Sequence, residues 1–220
     1  MQIHSTQNNF SPQFKAVKVA TTKNTVKNVT TKIDLYKLDP KKDSTFLKKL
    51  KDSINFEKLF PSIHEFEVAR WQQVFNYAVN SAADANYTSY VAISENKPCG
   101  IISYLQNNTN NTFIDALCSI PIEVNKKVRK VGSTLMLQVF KDASKNNSKE
   151  IVLDAVNNGP FNIIEKYKNF GFKPHEVSIR YTTMRCNKNN REDQIKLLKK
   201  EIEYYPISSD ENVNLDQFLY

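Results

Sequence analysis

Apolar and polar residues alternate from Lys32, where IDLYKLD places Ile33, Leu35 and Tyr36–Leu38 in a strand that Asp39–Pro40 ends. Phe46, Leu47, Leu50 and Ile54 then recur at helical spacing. Ser62 with Glu65 reads as a capping box before a second helix carrying Phe66, Ala69, Val74 and Tyr77. Ser89–Glu95 and Ile101–Gln106 bracket Asn96–Gly100 as a β-hairpin, and Phe113–Ile120 adds a strand beyond the polar turn Asn107–Asn111. Leu135, Met136, Val139, Phe140 and Ala143 share one face of a helix that opens at Gly132. Ile151–Val156 is almost wholly apolar and reads as a strand buried on both faces. Phe161–Asn169 is a short helix, with strands from Phe172 and over Ile179–Cys186. A charged helix from Arg191 to about Tyr204, with the stripe Ile195, Leu198, Ile202 and Tyr205, closes the pattern.

The order is therefore β-α-α-β-β-β-α-β-α-β-β with a final helix, an α/β (α+β) arrangement. Residues 1–31 are polar, carry Lys15, Lys18, Lys23 and Lys27 without an acid, and read as a flexible basic leader. The piece FKAVKV could still pair as an edge strand. Residues 32–186 form the domain, and 187–220 a C-terminal helix and tail. The last fifteen residues have no period and read as either a disordered tail or a docking peptide.

A chain of 220 residues with 40% hydrophobic content, 13 Phe and 10 Tyr supports one packed domain. No apolar run approaches membrane-spanning length, and the N-terminus lacks a signal-type apolar stretch. Cys99, Cys118 and Cys186 are odd in number and far apart, which points to reduced thiols in a cytoplasm. Scattered His4, His64 and His175 without a CxxC argue against a zinc site. The net charge of +8 suits an acidic partner, either nucleic acid or an anionic cofactor, or simply a solvated surface. Lysines dispersed among asparagines, with no Arg-rich run, disfavour nucleic acid.

Two stretches carry the chemistry. VRKVGSTLM (Val128–Met136) follows the Phe113–Ile120 strand, and YKNFGF (Tyr167–Phe172) follows the Ile151–Val156 strand. Each holds one of only four glycines, Gly100, Gly132, Gly159 and Gly171. A strand, a basic loop and a glycine at a helix start together suit a phosphate, because free amides and the positive helix end face the anion.

This order and these two motifs resemble the GCN5-related N-acetyltransferase (GNAT) superfamily over roughly Lys32 to Cys186. The resemblance implies a mixed, mostly antiparallel sheet of about seven strands flanked by about four helices, with the C-terminal helix extra. The family binds acetyl-CoA at a [Gln/Arg]-x-x-Gly-x-[Gly/Ala] loop. Here Lys127 stands where Gln or Arg is usual and Lys130 where the first glycine is usual, with Gly132 last. The alternative register, Arg129 to Thr134, restores the Arg and ends on Thr. In the family's Asn-x-x-Ala-x-x-x-Tyr-x-x-x-Gly-Phe pattern, Tyr167, Gly171 and Phe172 fit. Pro160 and Ile163 do not, and Asn157, Asn158 or Asn162 could replace the missing Asn.

The resemblance further implies a strand that splays from its neighbour around Leu117, Cys118 and Ser119 to hold the thioester arm. Lys127, Val128, Arg129, Lys130, Val131, Gly132, Ser133 and Thr134 would form the diphosphate loop, with Asn162 beside it. Tyr167 would assist the leaving thiolate, or else be a packing tyrosine. Asp115, two residues before Leu117 and so expected on the same strand face, would be the general base or a plain surface carboxylate. Cys118 reads as a small apolar residue. The expected function is transfer of acetyl from acetyl-CoA to a primary amine of a small molecule or protein in a ternary complex. The alternatives are an inactive GNAT-fold binding or structural module and a basic nucleic-acid-associated protein. A homodimer is left open, and no membrane partner is expected. The aromatics Phe60, Phe66, Trp71 and Phe75 read as packing on the sheet rather than lining an acceptor pocket.

Overall fold

The computed structural model describes residues 16–26, 28–107, 109–157, 162–208 and 212–219. β1 (Ala16–Val26) and β2 (Val29–Lys37) form an antiparallel hairpin whose turn holds Asn28 at φ 65°. Much of the expected leader is thus a sheet strand, while residues 1–15 lie outside the described ones. Its polarity hid it: the inward positions of β1 are Ala16, Ala20, Thr22 and Asn24, which are small or hydrogen-bonding rather than greasy.

α1 (Ser44–Ser53), α2 (Phe56–Leu59) and α3 (Glu65–Ala83) follow, then β3 (Thr88–Ser94), β4 (Lys97–Gln106) and β5 (Thr112–Ser119). Beyond them come α4 (Val131–Lys145), β6 (Glu150–Val156), α5 (Ile163–Asn169), β7 (Lys173–Val177), β8 (Tyr181–Asn187) and α6 (Lys188–Glu201). β9 (Glu203–Pro206), β10 (Asn212–Val213) and a 3-10 turn at Leu215–Phe218 end the chain. The ten strands lie in the order β10-β1-β2-β3-β4-β5-β6-β8-β7, with β9 also on β1, so the sheet exceeds the expected seven by strands from both termini. β5 and β6 pair parallel; the other pairs among the described strands are antiparallel.

The sheet separates two cores. On one face α1, α2 and α3 bury Phe46, Leu50, Phe56, Phe75 and Ala78. On the other α4 buries Leu135, Met136, Val139, Phe140 and Ala143, and α6 adds Ile195 and Leu198. The final helix therefore covers its own domain. The fully buried Arg191 ties it down by donating to Ser144 Oγ at 3.0 Å and to the Ser148 carbonyl at 2.9 Å, near the C-terminal end of α4. No helix among the described residues is long and apolar enough to cross a membrane.

Four local expectations change. α3 is capped by His64, whose Nδ1 accepts from the Phe66 amide, and not by Ser62. It buries Val68, Phe75, Ala78, Val79 and Ala82, leaving Phe66, Val74 and Tyr77 exposed. Both stripes have helical spacing, and the one nearer the α2 aromatics won. β6 alternates buried with exposed positions, because no helix covers its second face. The described residues of the tail are structured: β9 and β10 pair with β1, Phe218 meets Tyr36 with ring centroids 5.7 Å apart, and Leu215 is fully buried. Leu215→Ala is expected to lower unfolding free energy by about 2–4 kcal/mol, read by denaturant titration. A change within about 0.5 kcal/mol would mean the tail is only loosely docked.

Candidate functional site

α4 begins without a side-chain cap. Lys130 occupies the N-cap at φ 62°, the left-handed conformation that a glycine adopts without cost. The Thr134 amide returns to the Lys130 carbonyl at 2.8 Å, so the helix ladder starts there. The amides of Val131, Gly132 and Ser133 precede the ladder and donate to no group among the described residues. A methyl group built on Gly132 would meet nothing within 4 Å. The helix end is thus open, positive and flanked by exposed Arg129.

α4 is held here by Gly100 on β4. A Cβ at that position would lie 2.4 Å from Val131 Cγ1 and 3.1 Å from both Leu135 Cδ1 and the Cys118 carbonyl. Val131 is buried and Val128 packs against the same core, so both anchor the loop from inside. Several loop side chains are engaged elsewhere. Lys130 pairs with Glu201 at the end of α6. The Lys127 ammonium lies over the rings of Trp71, at 4.2 Å, and Phe60, at 4.9 Å. Burial, with Lys166 nearby, pushes its pKa down. Thr134 faces the core, where its hydroxyl lies 3.1 Å from that of Thr22, so neither its hydroxyl nor its amide remains for a ligand.

β5 carries the second half of the site. Its register against β4 slips between Ser103↔Ala116 and Tyr104↔Ile114, making a bulge at Asp115. The bulge reverses the expected facing. Asp115 turns toward α3, where it accepts from Tyr77 Oη at 3.1 Å and Ser81 Oγ at 2.5 Å, while Leu117 packs on the α4 side. Pairing with β6 covers only Thr112–Ile114 against Ile151–Leu153, and beyond it the two strands part. The Ile120 amide donates to the Cys99 carbonyl at 2.8 Å, which sets the ladder phase. Cys118 therefore bonds to β4, and the amides of Leu117 and Ser119 point into the gap. Trp71 Nε1 donates to the Ser119 carbonyl at 3.1 Å and fixes that end of the strand. Cys118 is buried, and burial pushes its thiol up to about 12.

α5 stops at Gly171, φ 79°, where the Gly171 amide donates to the Lys168 carbonyl and the Phe172 amide to that of Tyr167. The YKNFGF motif is this helix stop. Phe172 drops into the core beside Phe140 and Tyr167, with ring centroids 6.1 and 5.9 Å away. The Tyr167 hydroxyl makes no hydrogen bond among the described residues. Burial, with Cys118 nearby, pushes its pKa to about 12. Asn162 is the α5 N-cap, accepting from the Glu165 amide at 3.3 Å. Asn157 is held by the β7–β8 hairpin, donating to the Ser178 carbonyl. Asn158 and Pro160 lie outside the described residues.

Solved structures share this arrangement. A protein from Bacillus halodurans superposes with a TM-score of 0.56 at 15% identity, covering 83% of this chain and 98% of the other. Aminoglycoside 6'-acetyltransferase type Ii gives 0.51 at 13%, covering 70% and 96%. The chain has the GNAT acetyltransferase fold. The N-acetyltransferase PaiA from Thermoplasma acidophilum, solved in complex with coenzyme A, gives a TM-score of 0.48 at 19% identity, over 70% of this chain and 98% of that one. No family model and no curated protein matches the chain. In GNAT terms β5 and β6 are the fourth and fifth strands, and β1 is an addition before the first.

The sequence reading places Tyr77 and Trp71 among packing positions and does not single out Ser81 or Glu201. Tyr77 and Ser81 lie one helical turn apart, a visible pair, but only the bulge brings Asp115 to them. Two outcomes follow. Gly100→Ala is expected to cost about 1–3 kcal/mol in denaturant titration, because the added methyl meets Val131 and backbone; no loss would mean α4 is free to shift. Tyr167 is expected to titrate near 12 rather than its ordinary 10, followed by the Cζ shift of labelled tyrosine with Tyr167→Phe as the assignment. Neutral Tyr167 therefore favours the fold fully below pH 10, and that contribution is lost as pH rises through about 12. Titration at 10 would mean the ring is open to water.

Proposed function

We propose that the chain moves an acetyl group from acetyl-CoA to a primary amine by direct attack in a ternary complex. The observation that carries this reading is the joint presence of an uncapped, sterically open α4 start and a parted β5–β6 pair. One end suits a diphosphate and the other suits the thioester arm. The amides of Val131, Gly132 and Ser133 would hold the diphosphate, with Arg129 adding charge at the rim. The left-handed Lys130 supports the reading, because its backbone already has the shape that the family's glycine supplies.

Bound acetyl-CoA would supply the activated acyl group. The Leu117 and Ser119 amides would donate to the thioester oxygen, which gains negative charge as the amine attacks. The attacking nitrogen loses a proton toward Asp115 or a water beside it. Tyr167, protonated to about 12 and without a hydrogen-bond partner among the described residues, is suited to give a proton to the departing sulfur. Holding both substrates at the parted strands supplies much of the remaining acceleration. Buried thiols at Cys99, Cys118 and Cys186 support a cytoplasmic setting for this chemistry.

The test uses Gly132→Asp. A Cβ there meets no neighbouring side chain within 4 Å, and a carboxylate in the first helical turn favours the helix by about 0.3–1 kcal/mol. Melting temperature is expected to hold or rise, while calorimetric affinity for acetyl-CoA falls at least tenfold. Unchanged affinity would place the diphosphate elsewhere and end this reading. Tight binding with no turnover on any amine would favour the inactive-module alternative.

A further inference from the structure

Among the described residues, the α3 side of the sheet is covered as far as β5, and no helix packs on it beyond that strand. Asp154, Val156, Tyr181 and Thr183 share that open face, since their neighbours Leu153, Ala155, Thr182 and Met184 are buried toward α4. Asp115 reaches the same side through the bulge. Two hydroxyls, Tyr77 Oη and Ser81 Oγ, fix the direction of its carboxylate, one on each oxygen. A carboxylate has lone pairs for about four donors, so half its capacity is left. The Tyr77 and Tyr181 rings, 53% and 47% exposed, are carried by α3 and β8, and Tyr181 lies close enough to Tyr77 to act on its hydroxyl. Burial and the Asp115 bond raise the Tyr77 pKa, and Tyr87 and Tyr181 are close enough to add to the rise.

We infer that Tyr77 and Tyr181 form the mouth through which the acceptor arrives as an ammonium ion, and that Asp115, aimed by Tyr77 and Ser81, is the counter-charge that stops it beside the open edge of β5. The inference rests on the acetyl-transfer reading and narrows its acceptor. A cation is attracted by the faces of two tyrosines and by one oriented carboxylate. On the same face of β6 Asp154 adds a second carboxylate, which accepts from Thr183 Oγ1 at 2.6 Å. Phosphorylated or carboxylated acceptors would meet like charge here, although the chain as a whole carries +8. Tyr77 thereby has two roles: its ring is a wall and its hydroxyl is a positioning group for Asp115.

The experiment is amide-detected NMR titration of the full chain with benzylamine and with neutral benzyl alcohol, each with coenzyme A present. Benzylamine is expected to shift the Ser81, Asp115 and Tyr181 amides, with benzyl alcohol at least tenfold weaker. Asp115→Asn is expected to weaken benzylamine at least tenfold. Tyr77→Phe, which keeps the wall, is expected to weaken it about threefold while leaving benzyl alcohol unchanged, a split that general loosening would not produce. Equal binding of the two probes, or full benzylamine affinity in Asp115→Asn, overturns the inference. Absence of coenzyme A binding with the benzylamine site intact overturns the acetyl-transfer reading instead and leaves the ammonium site standing.

Discussion

Everything at the site depends on where β5 stops following its neighbours. One extra residue at Asp115 breaks register with β4, and pairing with β6 ends at Ile114. A regular strand would spend every amide on the ladder and would send Asp115 and Leu117 to the same face. The irregular one leaves the Leu117 and Ser119 amides unspent and divides the two side chains between opposite faces. A cleft through the sheet results, with α4 opening onto one side and α3 standing over the other.

The cleft is kept open by packing on both flanks. Gly100 lets Val131 and Leu135 approach β4 closely enough to fix the α4 start, and a rigid start is what free amides need if they are to act together. Tyr90 and Tyr104, stacked 6.4 Å apart, both donate to Asp142 in the last turn of α4, locking that end of the helix to the sheet. From the far side Lys130 reaches Glu201, so the C-terminal helix, absent from the family pattern, braces the loop. Trp71 anchors the Ser119 end from α3.

Much of the architecture was legible because its signals are periodic. The α4 stripe and the β3–β4 hairpin follow from spacing and turn residues alone, whereas the helix stop made by YKNFGF shows only in the structure. The first strand was not legible, since Ala16, Ala20 and Thr22 fill their places without a hydrophobic rhythm. The phase of α3 was ambiguous between two stripes, and tertiary packing with Phe56 and Phe60 chose the one containing Phe75. Around the α4 start, sequence placed the basic loop before the helix and the β5 strand before the loop. It could not show that Lys127, Lys130 and Thr134 turn their side chains to other partners, or that a bulge carries Asp115 to Tyr77. Those are consequences of three-dimensional neighbours, and a bulge leaves no mark in the pattern of side chains.

In the acetyl-transfer reading, unspent backbone amides at two separate places would serve one extended ligand. Amide chemical-shift mapping with acetyl-CoA tests it most directly. The account predicts simultaneous shifts at Gly132 and Ser133 and at Leu117 and Ser119, all saturating at one concentration. Shifts confined to exposed lysine-rich surface, or at one of the two places alone, would contradict it.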